Sequence, residues 1–296
     1  MYYRRKILLS LLDLFGQPLS NTQLHKYLFL ITRDQTKPSF DFVPYKYGCY
    51  SFQLNSDLNT MTKYEQVLNE EKKWRKIDSK NYFLELKKED QYILKAVKNQ
   101  FGSFDLNNLI RHTYLKFPFY AINSSILEKI LSIPERRKII AQKEKLRKNK
   151  QSLFTIGYEG ISLEHYLKKL IINDVSLLCD VRKNPISMKN GFSKNQLKNA
   201  CTKLSIDYIH IPDLGIVSSK RKELKTINDY KILFDDYEKT ILEKSESKLE
   251  ELKNLITKNN RIALTCFEAT SCMCHRGRIT DFLQKDKTFN IPITHL

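Results

Sequence analysis

Glycine and proline are scarce in this chain, eight of each in 296 residues, and there is a single tryptophan. That scarcity excludes collagen-like and low-complexity character, and a hydrophobic fraction of 41% excludes a disordered chain. No run approaches the roughly 18 uninterrupted apolar residues of a membrane span. The opening Met1-Tyr2-Tyr3-Arg4-Arg5-Lys6-Ile7-Leu8-Leu9 has the positive start and apolar run of a secretion signal. Asp13 interrupts that run, Pro18 ends it and no small-residue cleavage site follows, so an amphipathic first helix is expected instead. Six cysteines, five of them after residue 170, are too few for a disulfide scaffold at this length. Reduced thiols in a cytoplasmic, soluble protein are the expectation. The length suggests two domains, each able to bury its own core.

Acidic residues are outnumbered, 33 against 51 Lys and Arg, for a formal net charge of +18. Lysines exceed arginines 38 to 13, a bias that an AT-rich genome produces without any ligand. The distribution says more: residues 1–150 carry +13 and residues 151–296 carry +5. Between 134 and 150, Arg136, Arg137, Lys138, Lys143, Lys145, Arg147, Lys148 and Lys150 face only Glu135 and Glu144. Such a run attracts polyanions through counterion release, without sequence preference. It also suits a solvated linker helix. Nucleic acid is the expected partner, with Arg136, Arg137, Lys138, Lys145, Arg147 and Lys148 as its contacts. No membrane is expected, a protein partner could use the N-terminal part, and the oligomeric state is open.

Two halves differ in pattern. Apolar residues at three- and four-residue spacing predict helices over 4–15 and 20–32, with Ser20-Asn21-Thr22 as cap candidates. Pro38 and Pro44 mark an extended stretch, and a helix follows near 52–60. Trp74 to Leu86 reads as a hairpin turning at Asp78-Ser79-Lys80-Asn81, before helices at 87–101 and 105–115. Helices followed by a hairpin are the order of a winged helix-turn-helix, a fold that serves both DNA and protein partners. From residue 152 strands alternate with helices: strands at 153–157, 175–181, 207–211, 261–266 and 291–295, helices at 162–173, 193–204, 227–257 and 275–285. The expected architecture is α/β, with a C-terminal mostly parallel sheet and helices on both faces, plus an N-terminal mainly helical winged helix-turn-helix-like domain. The domain bounds are 1–133, a basic linker at 134–151, and 152–296.

Ligands of open parallel sheets bind beyond the carboxyl ends of the strands. Polar residues collect at those ends here: Tyr158-Glu159, Cys179-Asp180-Val181-Arg182 with Asn184 and Ser193, His210, and Cys266-Phe267-Glu268 leading to His275-Arg276. Candidate catalytic residues are Asp180, Glu268, His275 and Cys266. Candidate substrate-binding residues are Tyr158, Glu159, Arg182, Asn184, Ser193, His210 and Arg276.

Residues 152–296 also resemble a known family. Thr155-Ile156-Gly157-Tyr158-Glu159-Gly160, Asp180-Val181-Arg182-Lys183-Asn184-Pro185, Gly191-Phe192-Ser193, Leu214-Gly215, and Cys266-Phe267-Glu268 followed by Cys274-His275-Arg276 look like the signature of domain-of-unknown-function family 488. Cys272 is additional to that pattern. The resemblance implies a fold and a pocket, in domains that look nucleic-acid-associated. More weakly, Leu24-His25-Lys26-Tyr27-Leu28-Phe29 with Phe42-Val43-Pro44-Tyr45-Lys46-Tyr47-Gly48-Cys49-Tyr50-Ser51 is similar to the phage-associated Panacea antitoxin-like domain over residues 1–130. This implies a helical, winged module.

Three chemistries fit the rim. Asp180 and Glu268, with Arg182 and Arg276, could divide acid and base roles in hydrolysis of a glycosidic or N-glycosidic bond. Equally, Asp180 could pair internally with an arginine and order the loops. Cys266, at a strand end before a loop and a helix, could be a nucleophile, an arrangement that looks like a rhodanese, the sulfur-transfer family. Cys266, Cys272, Cys274 and His275 could hold zinc, but the spacing Cys-x5-Cys-x-Cys-His argues against it, because adjacent Cys274 and His275 rarely reach one ion. No cofactor and no metal are therefore expected. His210 suits a base, a phosphate contact or a structural role, and Tyr158 and Phe192 suit base stacking or packing. Cys179 and Cys201 read as core. The expected function is binding, and under the first chemistry hydrolysis, of a base or nucleotide. The alternatives are a non-enzymatic sensor or antitoxin-like regulator, and sulfur transfer through Cys266.

Overall fold

A computed structural model describes residues 1–221 and 224–296. The chain divides into two compact units, Met1–Lys145 and Leu146–Leu296.

The first unit begins with α1 (Tyr3–Phe15), β1 (Leu19–Ser20) and α2 (Asn21–Asp34). Ser20 caps α2 in a reciprocal box with Gln23, which ends β1 and starts the helix in one step. A small hairpin, β2 (Val43–Tyr45) and β3 (Gly48–Tyr50), precedes α3 (Phe52–Lys63). Strands β4 (Val67–Glu70) and β5 (Lys73–Lys76) follow, then α4 (Lys88–Phe101), α5 (Leu106–Lys116), the short α6 (Leu127–Ile130) and α7 (Ile133–Leu146). The order β1-β5-β4 closes a three-stranded antiparallel sheet. Leu8, Leu9, Leu24, Leu28, Phe29, Leu58 and Leu94 are among the side chains of its core.

The hairpin lies earlier than the expected Trp74–Leu86. Its turn is Glu71-Lys72, whose φ values of 49° and 64° are the left-handed pair that a two-residue hairpin turn demands. Neither residue advertises that conformation as Asn-Gly would. Asp78 and Asn81, which carried the compositional turn signal, instead accept backbone hydrogen bonds from Lys80 and Phe83 at the start of a short 3₁₀ turn, Phe83–Glu85.

In the second unit β6 (Ser152–Gly157), α8 (Leu163–Ile172), β7 (Leu177–Asp180), α9 (Lys194–Lys203), β8 (Asp207–His210), α10 (Ile227–Tyr237), α11 (Glu246–Asn259), β9 (Arg261–Cys266), α12 (His275–Gln284) and β10 (Ile293–His295) alternate as expected. The sheet is parallel throughout, ordered β10-β6-β9-β7-β8. The chain moves across it one way through α8 and α9 and returns through α10–α12. Right-handed crossovers therefore place these two groups on opposite faces.

The single helix expected over 227–257 is broken. Tyr237 and Leu242 are both core residues, five positions apart and out of phase with a 3.6-residue repeat. A π-helical turn at Glu238–Leu242 absorbs the extra residue before α11 begins. Two approaches of main chain need glycine. A Cβ on Gly157 would lie 1.8 Å from the Glu268 carbonyl oxygen, and one on Gly215 would lie 2.2 Å from the Lys183 nitrogen. The loop after β6 is thereby drawn against the loop after β9, and the loop after β8 against the loop after β7, at one end of the sheet.

Candidate functional site

Asp180 and Arg182 form a buried ion pair at that end. The Asp180 carboxylate is fully buried and Arg182 is 5% exposed. Oδ1 accepts from Arg182 Nε at 2.8 Å and from the Arg182 backbone N–H at 3.1 Å. Oδ2 accepts from Arg182 Nη2 and, at 2.6 Å, from the Tyr208 hydroxyl. Arg182 spends Nη1 on the Tyr158 hydroxyl at 2.8 Å and the Phe192 carbonyl at 2.9 Å. Burial alone would lower the guanidinium pKa, but the Asp180 carboxylate overrides it and holds the group above its ordinary value. Burial and then the same carboxylate push the Tyr208 phenol up. Asp180 is thus engaged through both oxygens, as the internal-pairing alternative describes.

Strand alternation separates Asp180 from the thiol. Asp180 is in register with Thr265, so Cys266, one residue on, presents to the other face. There His275, the first residue of α12, meets it: Nδ1 lies 3.5 Å from Cys266 Sγ and 3.9 Å from Cys274 Sγ. Its Nε2 is 2.8 Å from the Val181 carbonyl oxygen. A carbonyl only accepts, so Nε2 carries the proton and the Nδ1 lone pair faces the thiols. Burial pushes the Cys274 thiol well above its ordinary value. Cys272 is exposed and stands outside this cluster. Burial also raises Cys179, to about 12, and Cys201, in keeping with core cysteines.

A cavity of about 330 Å³ opens over this pair, within the roughly 300–1,000 Å³ range of small-molecule sites. Tyr158, Arg182, Asn184, Cys266 and His275, all named from sequence, line it together with Lys183, Ser187 and Phe267. Tyr158 stacks on Phe192 at 4.3 Å and meets the edge of Phe267 at 5.3 Å. Phe267 is 45% exposed.

The other candidates serve the walls. Arg276 is buried and holds the loop after β9 by donating to the carbonyls of Glu268 at 2.6 Å and Ala269 at 2.9 Å. Its guanidinium contacts main chain where a phosphate contact was expected. Glu268 is half-buried and is not in the cavity lining. Exposed Glu159 accepts from the Ala269 N–H, tying the loop after β6 to the loop after β9. Ser193 Oγ closes the 187–193 loop through both the N–H and the carbonyl of Ser187. His210 bridges the Arg182 carbonyl, at 2.9 Å from Nε2, and Lys194, at 3.1 Å from Nδ1.

Of the basic residues, Arg137, Lys138, Lys145, Arg147 and Lys148 are exposed, while Arg136 pairs with Glu128. Tyr208 and Phe267 were missed as site residues. The alternation Tyr208-Ile209-His210 would have placed Tyr208 on the face shared with Asp180, two positions from His210.

Fold and site together define a parallel α/β domain with a cleft at the carboxyl ends of its strands. Residues 162–283 match the family described as Domain of unknown function DUF488, which bears out the resemblance drawn from the motifs. The match starts just after the Thr155–Gly160 motif. No curated protein and no solved structure matches the chain. Among the described residues no helix is long and apolar enough to cross a membrane.

Proposed function

We propose that this is a nucleic-acid-associated protein whose C-terminal cleft receives a base or nucleotide, with Cys266 and His275 at its reactive end. One observation carries the reading: a single cavity combines aromatic Tyr158 and Phe267, cationic Lys183, polar Asn184 and Ser187, and a thiol beside an imidazole lone pair. An exposed ring offers a base a stacking face worth about 1–3 kcal/mol. The ammonium group of Lys183 suits a phosphate, while Arg182, paired with Asp180, holds the wall. The chemistry falls to thiol and imidazole because both Asp180 oxygens are occupied and Glu268 stands off the cavity wall.

Two features outside the cleft support the polyanion. The chain carries +18, with exposed cations on and beyond α7. In the first unit, α1, β1, α2, a small β2–β3 hairpin, α3 and the β4–β5 hairpin follow in order, and the pairing of β1 to β5 supports the winged-helix reading. Another cavity, lined by Glu243, Glu246, Glu250 and Asp286, would repel such a ligand.

A second reading, sulfur transfer through Cys266, is favoured by the 3.5 Å contact, since His275 could take the thiol proton. Fluorescence anisotropy with single-stranded oligonucleotides separates the two. Phe267→Ala and Lys183→Ala should each weaken binding about 5- to 100-fold under the nucleotide reading. Unchanged affinity in both variants, with sulfur released from a sulfane donor in a Cys266-dependent way, would leave sulfur transfer standing instead. A pure sensor would bind alike and yield no product.

A further inference from the structure

The geometry points to a zinc site at the floor of the cleft, with Cys266, Cys274 and His275 as three ligands and the fourth position facing the cavity. Sγ of Cys266, Sγ of Cys274 and Nδ1 of His275 lie within 4.8 Å of one another. Zinc bonds of about 2.3 Å to sulfur and 2.0–2.1 Å to nitrogen, at tetrahedral angles, set sulfur–nitrogen separations of about 3.5–3.6 Å. The two observed separations are 3.5 and 3.9 Å, so the donors need only small adjustments to share an ion.

The imidazole is held as ligating imidazoles are held. Its Nε2–H is fixed on the Val181 carbonyl, which sets the tautomer and aims the lone pair at the thiols. The objection from spacing also falls away. Cys274 is the extended residue before α12, φ −140° and ψ 141°, and His275 begins the helix, so the backbone changes direction between them and both side chains converge. Cys266 is delivered separately, by the end of β9. Cys272 is not needed.

The chemistry of the donor set agrees. Two buried thiols approach one lone pair, which can accept from only one of them at a time. Binding would exchange two thiol protons for one Zn²⁺, leaving two thiolates and a neutral imidazole around the ion. The unit carries no net charge, which suits its burial. Cys266 and His275 line the cavity and Cys274 does not, so the remaining coordination position opens there. Three protein ligands with an open position are the pattern of Lewis-acid sites rather than closed structural ones. The ligand taken there would be water or an oxygen of a substrate.

This inference does not rest on the nucleotide reading, because zinc binding is measured without nucleic acid. The full chain, stripped with chelator under reducing conditions and titrated with zinc sulfate, should bind one ion and release two protons. Cobalt(II) in its place should show the visible bands of tetrahedral coordination and a thiolate charge-transfer band. Zinc should slow iodoacetamide modification of Cys266 and Cys274 by at least about tenfold while Cys272 reacts as before. His275→Ala should lower affinity by about 100-fold or more, and Cys272→Ser should leave it unchanged. Less than half an ion per chain, or equal alkylation of Cys266 with and without zinc, would overturn the assignment in the wild-type chain itself. An effect of Cys272→Ser equal to that of His275→Ala would do the same.

Discussion

Asp180→Asn is the sharpest test of how the cleft is built. The substitution keeps the shape of the side chain but turns one oxygen into an NH₂ donor. Whichever oxygen is replaced, the new donor faces an existing donor of Arg182: Nε and the backbone N–H on one side, or Nη2, beside the Tyr208 hydroxyl, on the other. At least one hydrogen bond to Arg182 is lost, since the Tyr208 hydroxyl can turn to accept from the amide, and Arg182, 5% exposed, keeps its charge without a counter-ion. Breaking a buried pair from one side costs about 3–5 kcal/mol. Removing only the Tyr208 hydroxyl, by Tyr208→Phe, should cost about 1.5–3 kcal/mol, since that bond is to a charged acceptor. Arg182→Met added to Asp180→Asn should cost less than the sum of the single changes, because it removes the stranded charge. Trp74, the chain's single tryptophan, lies in the first unit, so its fluorescence reports the wrong region. Hydrogen exchange at the β7 and β8 amides reads the right one. Exchange free energies unchanged within about 0.5 kcal/mol in Asp180→Asn, with turnover lost, would refute the positioning role and return Asp180 to the catalytic one.

Two other outcomes follow from single groups. Replacing Lys138, Lys145, Arg147 and Lys148 by Gln should weaken binding to all oligonucleotides alike and flatten the salt dependence by about three to four units of slope, measured by anisotropy over a salt series. Equal affinities at low salt would make the run a linker. His25 is buried, and burial followed by the charge of Lys26 lowers its pKa to about 3, against 6.5 ordinarily. Below about pH 6.5 the unfolded chain therefore takes a proton that the folded chain refuses, and the stability of the first unit falls as pH drops toward 3. The slope should be about 1.4 kcal/mol per pH unit, followed by Trp74 fluorescence in urea, and His25→Gln should reduce it. A variant with the wild-type slope would show that His25 does not control it.

Much of the second unit was legible because its physics is local and repetitive. Buried strands such as Ser152–Gly157 and Arg261–Cys266 are short, mainly apolar runs, and each is bounded by turn residues or by a capped helix such as Ser162 provides. The end of the sheet that gathers polar residues follows from parallel topology alone. What failed to show depended on conformation rather than composition. Glu71-Lys72 adopts left-handed backbone without residues that favour it, and Tyr237 to Leu242 needs a π turn that no residue type signals.

At the site, the strand ends place Tyr158, Arg182, Asn184, Cys266 and His275 around one cavity, but how the rim residues divide between faces was hidden. Asp180 and Cys266 close adjacent strands, and a one-residue difference in register sends them to opposite faces. Arg276 resembles a phosphate ligand in sequence, at the start of a helix, yet its Nη1 and Nη2 donate to the carbonyls of Glu268 and Ala269. Whether an arginine faces ligand or main chain is decided by a loop fold that sequence alone leaves open. The convergence of Cys274 and His275 likewise depends on a backbone change between adjacent residues.

Photo-crosslinking of the full chain to an oligonucleotide carrying a thio-substituted base, followed by mass mapping of the adduct, tests the central claim most directly. The account predicts adducts on peptides containing Tyr158, Phe267 or Cys266, lost on competition with unmodified strand. Adducts confined to the first unit and the 134–150 run, with the cleft peptides untouched, would contradict it.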